Sequence, residues 1–368
     1  MHTSESTPQL WHPPHCPNPN CKFFNQNNHH WPLKKIGFYW CKAQPKRIQR
    51  YLCLHCRRSF SRQTFSTTYW QRLPMLDTRL FMRTTGCMAN RQIARDLRVA
   101  PETVNRHLSR LGRHCLLFHW QHMQNRPPPA AIVIDGFESF EFSQYHPIHH
   151  HLAVDPSNGM FLYFTDSELR RKGRMTRYQK RRRHQLEQRD GRPDPRAVQK
   201  DMGEVVAVTL ADQSAATVFS DAHRAYRGSL QWAPCPVQHE VTSSRERRDS
   251  RNPLWEVNLL DMLIRHGSAN HKRETIAWSK RRQSSAERLG ILLVGRNYVN
   301  WRYERNCRQT PAMLAGVEHR KLAVADVLSA RIFREHVDLP PRWAEYYDRR
   351  VRTRALKRNR EHGLKYAY

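Results

Sequence analysis

Ala131-Ile-Val-Ile-Asp135 and Ala216-Thr-Val-Phe-Ser-Asp221 decide how this chain is read. Each is a short run of β-branched, aromatic and small residues that reads as a buried strand. Each is closed by an aspartate. A carboxylate at the end of a buried strand is costly unless it is paired or holds a metal. Two such acids therefore suggest a divalent-cation site.

Working outward, Pro127-Pro128-Pro129 stops any helix and marks a boundary. Beyond it Ser139–Ser143, His149–Val154 and Met160–Phe164 read as further strands, with a turn at Asp155–Gly159. A helix over Ala197–Leu210, the Asp221 strand, a helix from His223, a strand over Pro236–Val241 and a helix from Pro253 follow. This order is that of a ribonuclease H-like mixed sheet, in which Asp135 and Asp221 meet although 86 positions separate them. His149, His150 and His151 alternate across their strand, so the three cannot ligate one metal.

Composition points to the partner. Lys and Arg number 63 against 32 Asp and Glu, a net charge of +31 spread along all 368 residues. Such an excess repels itself unless it meets a polyanion, and several surfaces are expected to meet phosphate. A metal-dependent reaction on DNA is thus the leading expectation. No stretch approaches the roughly 18 apolar residues of a membrane span. Met1-His2-Thr3-Ser4-Glu5 lacks a signal-peptide pattern. The expected setting is a reducing one, cytoplasmic and nucleoid-associated in a prokaryote, with no membrane partner.

The cysteines cluster in two pairs, Cys16/Cys21 and Cys53/Cys56, separated by strand-like Ile36–Trp40 and Gln49–Leu52. Four thiolates so spaced match a zinc ribbon with structural Zn²⁺. Cys41 and His55 are spare candidates, while Cys87, Cys115, Cys235 and Cys307 have no partner spacing. Downstream, Arg91–Arg98 reads as a short helix with Ile93, Ala94 and Leu97 inward. Pro101 opens a second helix, giving helix-turn-helix geometry. Thr103, Asn105, Arg106 and Arg110 fall on its outer, DNA-reading side.

Between Glu168 and Lys200 thirteen Lys or Arg face four acids, a density suited to tracking a DNA backbone. His271–Arg282 reads as a second basic helix, with Lys272, Arg273, Lys280 and Arg281 able to steer DNA ends. Arg349–Lys365 reads as a basic helix or tail.

Taken with the ribbon and helix-turn-helix, Val133–Ser143, Ser220–Tyr226, Asn270–Lys280 and Gln309–Gly316 resemble insertion-sequence transposases of the acidic-triad class. The resemblance runs over nearly the whole chain. It implies a multidomain α+β protein: zinc ribbon at 10–70, helix-turn-helix domain at 71–126, ribonuclease H-like catalytic domain at 127–310 with a basic insertion at 168–200, and a helical basic extension at 311–368. It also implies double-stranded DNA as partner, both element ends and target, a homo-oligomer on that DNA, and Mg²⁺ or Mn²⁺ at the acids. By matching position, Asp135 and Asp221 are the first two triad acids. A non-catalytic DNA-binding regulator and a nuclease without strand transfer are the alternatives.

The third acid departs from the family pattern, with Glu256 and Asp261 as candidates. On a helix from Pro253, Leu254, Val257, Leu260 and Ile264 form an apolar face, and Glu256 points within about 60° of its centre. Asp261 lies at its edge, near Asn258 and Arg265. Spacing back from Trp278-Ser279-Lys280 also favours the Asn258–Asp261 region by resemblance. Asp261 is therefore expected ahead of Glu256.

Overall fold

The structure is a computed structural model that describes residues 11–24, 30–124, 126–272, 275–305 and 308–356. The chain divides into two compact units. The smaller runs to Met75 and includes Leu328–Asp338; the larger comprises Leu76–Val327 and the chain from Leu339. Among the described residues no helix is long and apolar enough to cross a membrane.

The smaller unit is an antiparallel sheet of β1 (Leu33–Cys41), β2 (Lys46–Cys53) and β3 (Ser59–Ser61). The β1–β2 register slips between Lys35 and Phe38, where Gly37 takes φ +93, a left-handed conformation suited to glycine. So small a unit cannot build a large apolar core. Instead it gathers rings around three of its cysteines: Phe23, Phe24, Trp31, Tyr51, Phe60, Phe65 and Phe333 are buried with Cys16, Cys21 and Cys53.

The larger unit is a mixed α+β structure built on a five-stranded sheet of order β6-β5-β4-β7-β8. The strands are β4 (Ala131–Phe140), β5 (Pro147–Val154), β6 (Phe161–Glu168), β7 (Ala216–Asp221) and β8 (Val237–Thr242). β4, β5 and β6 pair antiparallel, while β7 and β8 add parallel on the other side of β4. The sheet is consistent with the expected ribonuclease H-like arrangement, with one correction. Ala131–Ile134 and Ser139–Ser143 are not separate strands. Phe137 and Ser139 continue the buried alternation of β4, so the strand runs unbroken through Asp135 to Phe140.

The helices are α1 (Leu76–Thr85), α2 (Asn90–Asp96), α3 (Pro101–Met123), α4 (Arg177–Asp190), α5 (Ala197–Thr209), α6 (Arg224–Ser229), α7 (Trp255–Gly267) and α8 (Arg282–Val294). Three short ones follow: α9 (Pro311–Leu314), α10 (Val324–Val327) and α11 (Pro341–Asp348). α5 packs on β5 and β6, α7 on β4 and β5, and α3 along α8. After α8 a π-helical turn, Gly295–Val299, points Asn297 at β6. Its amide accepts from Phe161 N at 3.0 Å and donates to Phe161 O at 2.8 Å.

Arg282, at the start of α8, is buried between Asp166 and Glu168 of β6, and Tyr346 of α11 donates its hydroxyl to Asp166. Burial alone would raise the Asp166 carboxyl, but the Arg282 guanidinium holds it down at about 2. This placement corrects another expectation. His271–Arg282 is not a basic helix, because no helix lies between Gly267 and Arg282 among the described residues. Ser268 donates to Asn270, Asn270 to Ser279, and Thr275 to the Ala269 carbonyl. Such local side-chain bonds compete with helix formation. Arg349 likewise ends α11 at φ +56, and residues 350–356 form no helix. The remainder of Arg349–Lys365, like Cys307, lies outside the described residues.

α3 and α8 approach closely because Gly112 has no side chain. A Cβ there would lie 2.4 Å from the Glu287 carbonyl oxygen, well inside contact distance. Gly112→Ala should therefore destabilise the chain by about 1–3 kcal/mol, as overpacking does. Denaturant unfolding checks this, and an unchanged midpoint would mean the helices separate freely.

Candidate acidic site and cysteine cluster

The acidic site begins with strand pairing. β4 and β7 run parallel with Ala131 opposite Thr217, Ile132 opposite Val218 and Val133 opposite Phe219, a constant offset of 86 residues. Asp135 and Asp221 share that offset. They therefore stand level where β4 parts from its parallel neighbour, and Asp221 is the last residue of β7. Ile132, Val133, Ile134 and Val218 are fully buried beneath them and fix the register.

Burial raises the Asp135 carboxyl to about 6, and the negative charges of Asp221 and Asp261 push in the same direction. The Gly136 amide and the Tyr226 hydroxyl, which donates to Asp135 Oδ1 at 3.3 Å, offset part of this rise. Asp221 Oδ1 accepts the His223 amide at 2.9 Å, which shapes the turn into α6. In sequence Tyr226 closes the Ser220–Tyr226 stretch but carries no role of its own; it is the third residue of α6, the helix that follows Asp221.

The two candidates for the third acid part company on α7. Glu256 is buried, accepts from Arg302 Nη2 at 2.5 Å and from the Tyr303 hydroxyl at 3.4 Å, and its Oε2 lies against Gly159 in the turn between β5 and β6. Asp261 carries one of the charges that raise Asp135. Its two oxygens accept from Arg265 Nε at 3.1 and 3.0 Å, and the Arg265 guanidinium lies 5.2 Å from the Phe137 ring centre. Each acid is thus paired with an arginine, Glu256 with Arg302 and Asp261 with Arg265, and the Asp261 charge also acts on Asp135. The donors are all oxygen and their like charges oppose one another, a set that a divalent cation such as Mg²⁺ fits. The three carboxylates do not converge within 4.8 Å of one another. Among the described residues the four cysteines are the only group of three or more potential ligands that does.

In that group Cys16 Sγ lies 3.6 Å from Cys56 Sγ, and Cys21 Sγ lies 3.9 Å from Cys53 Sγ. A tetrahedron with metal–sulfur bonds of about 2.3 Å has edges near these lengths, whereas a disulfide would need about 2.05 Å. Burial pushes the Cys53 thiol up, but the Cys56 amide and the Trp31 indole N–H, at 3.5 and 3.3 Å, help bring it down to about 7. The donor set fits a structural Zn²⁺. Of the spare candidates, His55 Nδ1 reaches Cys21 Sγ at 3.4 Å, while Cys41 stands at the end of β1, outside the group.

The expected DNA-reading residues occupy the first turns of α3. α2 ends in a turn with Arg98 at φ +53, and Pro101 opens α3. Asn105 and Arg106 are exposed, Thr103 and Arg110 half-buried. Asn105 accepts from Asn90 across the turn, and Arg106 pairs with Glu102 at 3.5 Å. Lys272 is exposed, whereas Arg273 lies outside the described residues. Lys280 sits over the Trp278 ring at 3.9 Å. The basic stretch after β6 forms α4, capped by Thr176 and burying no side chain.

No family model and no curated protein matches this chain. Among solved structures it is similar to two of the Mos1 transposase catalytic domain with raltegravir, one with Mg and one with Mn. Each is 11% identical and aligns over 67% of this chain and 96% of that one, with a TM-score of 0.24. A likeness that slight adds no weight to the site geometry.

Two outcomes follow from these contacts. Cys53→Ser should strip bound zinc from the purified protein, read by metal analysis; wild type without zinc would contradict the ribbon. Asp135, raised to about 6 in the fold and about 3.9 when unfolded, binds its proton more tightly folded. Its charge therefore destabilises the cation-free fold above about pH 6. Asp135→Asn should be the more stable protein at pH 7.5, and the difference should shrink as pH falls towards 4. A gap in thermal midpoint that widens on acidification would reverse this assignment.

Proposed function

We propose that this chain is a DNA transposase that binds the ends of a mobile element and cleaves and transfers DNA strands at the acids. The observation that carries the reading is the matched register of Asp135 and Asp221 on adjacent parallel strands, with Asp261 close enough to raise Asp135. A catalytic role accounts for an Asp135 carboxyl that is raised first by burial and further by the charges of Asp221 and Asp261. Asp135, Asp221 and Asp261 would hold the divalent cations, and Tyr226 would orient Asp135. Bound cations of this kind activate a water or 3′-hydroxyl and stabilise the leaving oxygen of an in-line phosphoryl displacement.

The remaining modules supply DNA. The zinc ribbon at 10–70 and the helix-turn-helix at 71–126 would recognise ends, with Asn105 and Arg106 as the exposed readers and Thr103 and Arg110 beside them. The catalytic domain at 127–310 carries the basic insertion at 168–200, whose exposed α4 would lie along the phosphate backbone. The extension at 311–368 would add sequence-neutral affinity. Glu256, locked to Arg302, would support the fold of α7 and take no part in the chemistry.

Incubation with duplexes carrying the flanking ends and Mg²⁺, with cleaved and joined strands mapped, tests this. Asp135→Asn, Asp221→Asn and Asp261→Asn should bind the duplex and fail to cleave it, while Glu256→Gln cleaves. Cleavage by Asp261→Asn and not by Glu256→Gln would transfer the third role to Glu256. Cleavage without joining would leave a nuclease.

A further inference from the structure

From residue 11 to residue 75 the sequence carries eleven Lys or Arg and no Asp or Glu. An acid-free stretch of this length is matched to a polyanion. Within the same unit a groove of about 400 Å³ opens beside the sheet, lined by Tyr39 of β1, Arg50 of β2, Ser61 of β3, and Gln63, Thr68 and Trp70. That volume is in the range of roughly 300–1,000 Å³ typical of small-ligand sites.

The walls differ in character. Trp70 is 64% exposed and holds φ +60, a left-handed conformation that bulky side chains rarely adopt. Tyr69 meets it edge-on, with ring centroids 6.2 Å apart. The groove residues also include a hydrogen-bonded polar set. Gln63 and Gln44 donate to Thr68 Oγ1 at 2.7 and 2.9 Å, and the Tyr39 hydroxyl lies 3.5 Å from Ser61 Oγ. Arg50 supplies charge at the rim, and Lys46 pairs with the groove residue Cys41.

An indole face, a set of amides and hydroxyls, and a rim cation together match one planar heterocycle between two phosphates. A paired base cannot enter, because its faces are stacked and its edge is engaged. We propose that this groove binds one unpaired nucleobase of a single-stranded DNA segment, stacked on Trp70, with the flanking phosphates held by Arg50 and Lys46. The site is separate from the acids and does not depend on whether they cleave DNA.

Anisotropy titrations of the full zinc-containing chain test this with two labelled probes of equal length and charge, oligothymidine and a fully abasic phosphodiester strand. The abasic strand should bind at least about fivefold more weakly. Trp70→Ala should erase that preference while leaving abasic affinity unchanged, and Trp70→Phe should keep it. Trp40→Ala, exposed on the same sheet but outside the groove, should also keep it. Equal binding of the two probes by wild type, or a preference that survives Trp70→Ala, would overturn the proposal. Its loss in Trp40→Ala alone would move base contact elsewhere and overturn it equally.

Discussion

The parallel pairing of β4 with β7 is the constraint on which the acidic site depends. One register brings Asp135 level with Asp221, and a slip of one residue would turn either side chain to the opposite face of the sheet. The apolar run beneath them secures the register at a cost, since it also desolvates Asp135 and raises its carboxyl. The fold therefore carries an electrostatic cost at Asp135 that the surrounding apolar burial offsets and that a bound divalent cation would relieve.

α3 joins two tasks in one helix. Its first turns expose Asn105 and Arg106, while from His107 to His119 nearly every residue is buried. His114 and His119 are driven down to about 4 and about 3 by that burial, and each is kept neutral beside a main-chain carbonyl, Val327 and Leu162 respectively. The helix expected to read DNA is thus also a core element of the sheet-bearing unit.

Much of this was legible in the residues themselves. Strand-forming runs at Ala131 and Ala216, the four clustered cysteines and Pro101 each carry a strong local signal, and the structure places strands, a cysteine cluster and a helix start there. The failures have different causes. The continuation of β4 through Asp135 is set by its pairing with β5, and the burial of Arg282 by Asp166, 116 residues away, neither of which periodicity reports. The coil at His271–Arg282 is set by local side-chain bonds such as Asn270 to Ser279, which compete with the helix. On α7, Glu256 is held by Arg302, forty-six residues on, a partner that helix phase does not report.

Asp135 and Asp221 are proposed to form one cation site. Titration of Mn²⁺ into the zinc-loaded chain, followed by electron paramagnetic resonance, measures it directly. Wild type should bind Mn²⁺ saturably, and Asp221→Asn should lose that binding while its zinc content stays unchanged. Equal Mn²⁺ binding by wild type and Asp221→Asn would contradict the account.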